Sequence, residues 1–117
     1  MGRLGHEGLL TLARKVHATT GDGDVQRLAQ LAREFTDALA VHLDDEVVAM
    51  THLSPAQARI LRRGQQRLSS AAEALVGEAA RGCPGPPLTC SGRAEELVAL
   101  LVLQARDERL ALHDPAA

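Results

Sequence analysis

The segment Ser54-Pro55-Ala56-Gln57 constrains this chain more than any other. Ser54 offers an N-cap oxygen, and Pro55 suits the first helical position because the N–H it lacks would be unpaired there anyway. Gln57 stands three residues after the cap, where its amide reaches back to the cap backbone. A helix therefore starts at Pro55, and the segment before His52-Leu53 must already have ended. Apolar residues on both sides of this boundary recur at steps of three and four, the spacing of one buried helix face.

Similar punctuation divides the rest of the chain. Thr20-Gly21-Asp22-Gly23-Asp24 is turn chemistry, with Asp24 placed to cap the second helix. A Pro/Gly-rich loop runs from Arg81 to Ser91, and Asp114-Pro115 closes the last periodic stretch. Helices are predicted over about 4–19, 24–51, 55–81 and 92–112. Connections this short make sequential helices antiparallel neighbours, so the expected fold is all-α, an up-down-up-down four-helix bundle forming a single domain over 1–117. Ala and Leu dominate the 45% hydrophobic share, and both lose little on entering a helix. A chain of 117 residues buries roughly two-thirds of its unfolded surface, so it needs neither a metal nor a disulfide merely to fold.

Composition narrows the partners. Phe35 is the one aromatic residue and the net charge is −2, which leaves neither a base-stacking platform nor a basic footprint for nucleic acid. The longest apolar run, Leu97 to Leu103, is too short for a bilayer, and the polar start Met1-Gly2-Arg3-Leu4 is unlike a signal peptide. A cytoplasmic protein without nucleic-acid or membrane partners is expected, with a small ligand or a protein partner open and the oligomeric state unspecified. In that setting Cys83 and Cys90 default to a reduced loop pair, with a local disulfide as the alternative; their spacing is not that of a zinc knuckle.

The apolar seams carry the chemistry. Helix three turns Ala58, Leu61, Gln65, Leu68, Ala72, Leu75 and Ala79 inward, so Gln65 interrupts an aliphatic line. Helix two presents Leu28, Leu31, Ala32, Phe35 and Leu39, then His42 and Glu46. Helix four gives Leu97 and Leu101, then Gln104 and Glu108; helix one starts with His6 and continues through Leu9, Leu10, Ala13, Val16 and His17. His42 lies about eleven residues before the turn at Leu53 and Gln65 about twelve after it, which puts them at one level of an antiparallel pair. Folding about the other turns brings Gln104, about seventeen residues past the midpoint of the last loop against about twenty-two before it for Gln65, and His6 toward that level. His17, His52 and His113 fall near bundle ends or the surface. A single polar residue on a seam usually sets register, whereas two imidazoles and two carboxylates in one buried layer need a cation or a complete hydrogen-bond network.

These residues resemble the hemerythrin-like (HHE) cation-binding family, four-helix bundles with a non-haem di-iron centre. His6-Glu7-Gly8-Leu9-Leu10 looks like the first-helix histidine segment, and His42-Leu43-Asp44-Asp45-Glu46 like the family's His and Glu four apart. The resemblance implies His6 and His42 as terminal iron ligands, with Glu46 and Glu108 as bridging carboxylates, Asp107 lying beside the latter. Where the family has its third- and fourth-helix histidines this chain has Gln65 and Gln104, neutral residues suited to holding a metal-bound ligand rather than the metal. His6, His42, Glu46 and Glu108 then suit a mononuclear or asymmetric non-haem iron site. They suit equally a metal-free core whose glutamines satisfy the acids and imidazoles.

These readings give two expected functions. One is a hemerythrin-like iron or other metal protein acting in O₂ or other diatomic sensing, redox sensing or iron handling. The alternative is a degenerate, metal-free bundle that binds a partner or small molecule; a non-haem iron oxidase or oxygenase is a weaker third, and no residue is read as catalytic. Gly5, Gly8 and Gly64 lie within a turn of the layer, and helical glycines costing about 1 kcal/mol each relative to alanine point to close packing or to an access route there. With only Phe35 to line a pocket, reversible O₂ carriage is the least expected use.

Overall fold

The computed structural model describes residues 6–21, 24–83 and 89–113, without the side chains of residues 6, 49, 89 and 111–113. They form four helices: α1 (His6–Thr20), α2 (Val25–Met50), α3 (Pro55–Ala80) and α4 (Thr89–His113). Each boundary has a chemical cause. The Asp24 carboxylate accepts the Arg27 N–H at 3.0 Å and caps α2. Ser54, extended at φ −63° and ψ 155°, accepts the Gln57 N–H through its hydroxyl while the Gln57 side chain accepts the Ser54 N–H, so the predicted capping box is formed. At the far end of α3, Gly82 at φ +79° donates to the Ala79 carbonyl and Cys83 to that of Glu78, the paired bonds of a Schellman turn.

The helices form a ring in which α1 packs on α2 and α4, and α3 on α2 and α4. Helices α3 and α4 run antiparallel, since Glu78 faces Arg93 near one end while Leu61 meets Gln104 near the other. The seam residues pack inward as their spacing requires. Leu9, Ala13 and Val16 of α1 meet Leu28, Phe35 and Leu39 of α2, and Leu68, Leu75, Leu97 and Leu101 complete the main core from α3 and α4. Met50 and Leu61, with Leu53 packed against them, make a second, small apolar cluster at the α2–α3 end. No helix among the described residues is long and apolar enough to cross a membrane.

Two expectations need correction. Helix α4 begins at Thr89 rather than Gly92, because Cys90 is itself the first buried residue of the stripe that continues through Ala94, Leu97 and Leu101. Cys83 and Cys90 are not a reduced pair: they are joined in a disulfide with a Cα–Cα separation of 5.9 Å. Cys83 at φ 52° sits in the left-handed region, a costly conformation for a residue with a Cβ, and this places its sulfur against the first turn of α4. A bridge closing so short a loop contributes about 2 kcal/mol by restricting the unfolded chain. Urea unfolding with and without reductant measures this: reduction, or Cys83→Ser with Cys90→Ser, lowers the stability by that amount and leaves helix content unchanged.

Candidate metal centre

The polar layer lies between the two apolar clusters. On α2, His42 and Glu46 stand one turn apart on the face that buries Leu39 and Met50, so both side chains enter the interior. Glu108 approaches from α4, across the ring from α2, and is buried like Glu46. His42 Nε2 lies 3.3 Å from Glu46 Oε1 and 3.9 Å from Glu108 Oε2. One ligand atom from each of the three residues falls within 4.8 Å of the others. Donors on a cation with bonds near 2.0–2.2 Å sit about 3.4 Å apart in tetrahedral geometry, so small side-chain rotations would complete a three-ligand set.

Burial and charge together set the protonation. The His42 imidazole is pushed up from 6.5 to about 10, first by hydrogen bonding to Glu108 and then to Glu46, against the opposing effect of burial. Burial raises the Glu46 carboxyl above its usual range, His42 opposes that shift, and the neighbouring Glu108 adds to it. Beyond this 3.3 Å approach of His42, the two buried Glu46 oxygens meet no other hydrogen-bond donor among the described residues. Such a group costs several kcal/mol unless a cation or a proton satisfies it.

The sequence named six residues for this layer, and they divide. His42, Glu46 and Glu108 meet. His6 opens α1, and its side chain lies outside the described residues. Gln65 is half-buried, with its Nε2 buried and unpartnered among the described residues. Gln104 is fully buried but turned toward α3: its Nε2 donates to the Leu61 carbonyl at 3.2 Å, leaving Oε1 buried without a donor among the described residues. Gly64 makes this seat possible, because a Cβ there would overlap the Gln104 amide. The space implied by Gly64 is thus filled by Gln104 itself, a close-packing role rather than an access route. Its sequence signal was present, a helical glycine one turn from a seam, but the occupant needed the interhelical distance.

No protein-family model, curated protein or solved structure matches this chain, so the hemerythrin-like resemblance rests on these residues alone.

This geometry makes two outcomes measurable. Gly64→Ala gains about 1 kcal/mol of helix propensity but displaces a buried amide, and we expect a net loss of about 1–2 kcal/mol in the parent. In a Gln104→Ala background the same substitution stabilises, a sign change that a double-mutant cycle by urea unfolding detects. The second outcome concerns pH. His42 has a folded pKa of about 10 against 6.5 unfolded, so its contribution is complete below 6.5 and disappears as pH rises toward 10. The raised Glu46 carboxyl acts in the same direction, stabilising at low pH and not at high. The metal-free protein should therefore unfold at progressively lower urea between pH 6.5 and 10, with a flatter profile in His42→Gln.

Proposed function

We propose that this bundle binds a divalent transition-metal ion through His42, Glu46 and Glu108. What carries the reading is that both Glu46 oxygens are buried with no hydrogen-bond donor besides His42 among the described residues, beside a second buried carboxylate and with that imidazole within ligand distance. Charge balance supports it. One imidazolium offsets one of two carboxylates, whereas a divalent cation offsets both and lets the imidazole bind as the neutral base. A nitrogen and two carboxylates suit Fe(II), Mn(II) or Zn(II), and the hemerythrin-like resemblance favours non-haem iron. His42, Glu46 and Glu108 would hold such an ion, which when bound would supply the affinity for a diatomic or other small ligand and the redox response that sensing needs. The chain's own part is to hold the three donors, exclude water with the apolar layers on either side, and offer Gln65 Nε2 as a donor to such a ligand.

Small-ligand or redox sensing, or iron handling, is the role proposed for the site. The cytoplasmic setting belongs to the same proposal and stands in tension with the Cys83–Cys90 bridge, since disulfides persist mainly in oxidising compartments. A metal-free module is the second reading, favoured by the pairing that His42 already makes with both acids.

Metal analysis separates them. Protein expressed with supplemented iron should carry about one ion per chain, and His42→Ala or Glu46→Gln should carry far less. Binding to the metal-free protein at about pH 8 should release close to one proton, from His42, visible as a buffer-dependent calorimetric enthalpy. Equal metal in parent and variants would leave the metal-free module as the reading.

A further inference from the structure

The first half of α3 is one-sidedly basic: Arg59, Arg62, Arg63 and Arg67 occur with no acidic residue between Ser54 and Ser70. None of the four makes an ion pair among the described residues. Arg63 and Arg67, one helical turn apart, open onto a groove between α3 and α4 that has two sections. The narrower, about 200 Å³, is bounded by Ile60, Gly64, Gln104 and Asp107. The wider, about 530 Å³, reaches Ser70, Ala71, Arg93 and Glu96. Both arginines and Leu100 line each section, giving an apolar floor with a few convergent polar groups, the usual make-up of a small-molecule site.

Each section also contains a residue with a buried polar atom that has no partner among the described residues. In the wider section it is Arg93 Nε, a donor; in the narrower it is Oε1 of Gln104, an acceptor on a side chain only 2% exposed. Unsatisfied buried groups are uncommon, and two of opposite kind along one groove mark where a ligand with both an acceptor end and a donor end would gain most.

We infer that this groove binds a small phosphate ester that also carries an ammonium or hydroxyl group. The phosphoryl lies among Arg63, Arg67 and Arg93, whose forked donors match its oxygens; Arg93 also pairs with Glu78 at 3.7 Å, so Arg63 and Arg67, which make no ion pair among the described residues, supply the charge for a phosphate monoester or diester. The donor end lies at Asp107 and Gln104, where a carboxylate repels a bare anion and attracts an ammonium or hydroxyl. The site is on the surface groove, not among the three metal donors, and its occupancy does not depend on a bound metal.

The test uses the full chain stripped of metal by chelator and titrated calorimetrically with O-phosphoethanolamine, inorganic phosphate and ethanolamine. We expect saturable binding of O-phosphoethanolamine at least tenfold tighter than inorganic phosphate, with ethanolamine silent. Arg63→Ala with Arg67→Ala should weaken both phosphates at least tenfold. Asp107→Asn should remove the preference for O-phosphoethanolamine while leaving inorganic phosphate unchanged. These side chains are exposed or half-exposed, and unchanged circular dichroism confirms that the variants fold. Co-sedimentation with phosphatidylethanolamine vesicles, abolished by the arginine substitutions, would identify the ester as a lipid headgroup; its absence would identify a free metabolite. Failure of O-phosphoethanolamine to saturate, or equal affinity in the arginine variant, would overturn the assignment. Because the protein is metal-free throughout, neither result depends on whether His42, Glu46 and Glu108 bind a metal.

Discussion

The structure turns on a charge imbalance inside an apolar bundle. Glu46 and Glu108 bring two carboxylates into the interior, and His42 is the described residue whose ligand atom joins theirs. With only a proton to share, the cluster holds one imidazolium against two acids, and Glu46 responds by shifting toward its neutral form. That arrangement is a compromise: a proton on Glu46 reduces its repulsion with Glu108 but weakens its attraction to the His42 imidazolium. On the proposed reading a divalent ion would meet both demands, so that the residues that make the metal-free core costly would make a metal-bound core favourable.

The surrounding architecture holds this cluster in register. The layer separates the main core, ending near Leu39 and Leu101, from the cap formed by Met50, Leu61 and Leu53. On the α3 side the Gln104 amide reaches through the gap at Gly64 to the Leu61 carbonyl, fixing the height of α4 against α3 and hence the height of Glu108, one turn further along. The capping box at Ser54 fixes where α3 begins, and with it the level of Leu61 and Gly64. At the opposite end the Schellman turn and the Cys83–Cys90 bridge fix the register in which α4 returns. Local chain chemistry at the two ends of α3 thus sets where the donors meet.

Much of this was legible in the sequence, for identifiable reasons. Helix boundaries were marked by caps and glycines whose effects are local, so the start of α3 is as expected. The meeting of His42, Glu46 and Glu108 came from periodicity and from folding the chain about its turns, because helix rise converts sequence distance into height. Features that depend on distances between elements were not legible. Gly64 advertised empty space, but only the packed helices show that Gln104 fills it. The disulfide was hidden because Cys90 looked like loop and is the first core residue of α4. A net charge of −2 concealed the arginines of α3, since a sum over the chain says nothing of where the charges gather.

On the proposed reading, a metal ion occupies the space between His42 Nε2 and the carboxylates of Glu46 and Glu108. Anomalous diffraction from crystals of the iron-loaded protein, recorded on both sides of the iron absorption edge, tests this directly. The predicted result is a single strong anomalous peak within bonding distance, about 2.0–2.3 Å, of donors from all three residues. A peak elsewhere in the molecule, or none while His42 still lies between the two acids as their imidazolium partner, would contradict it.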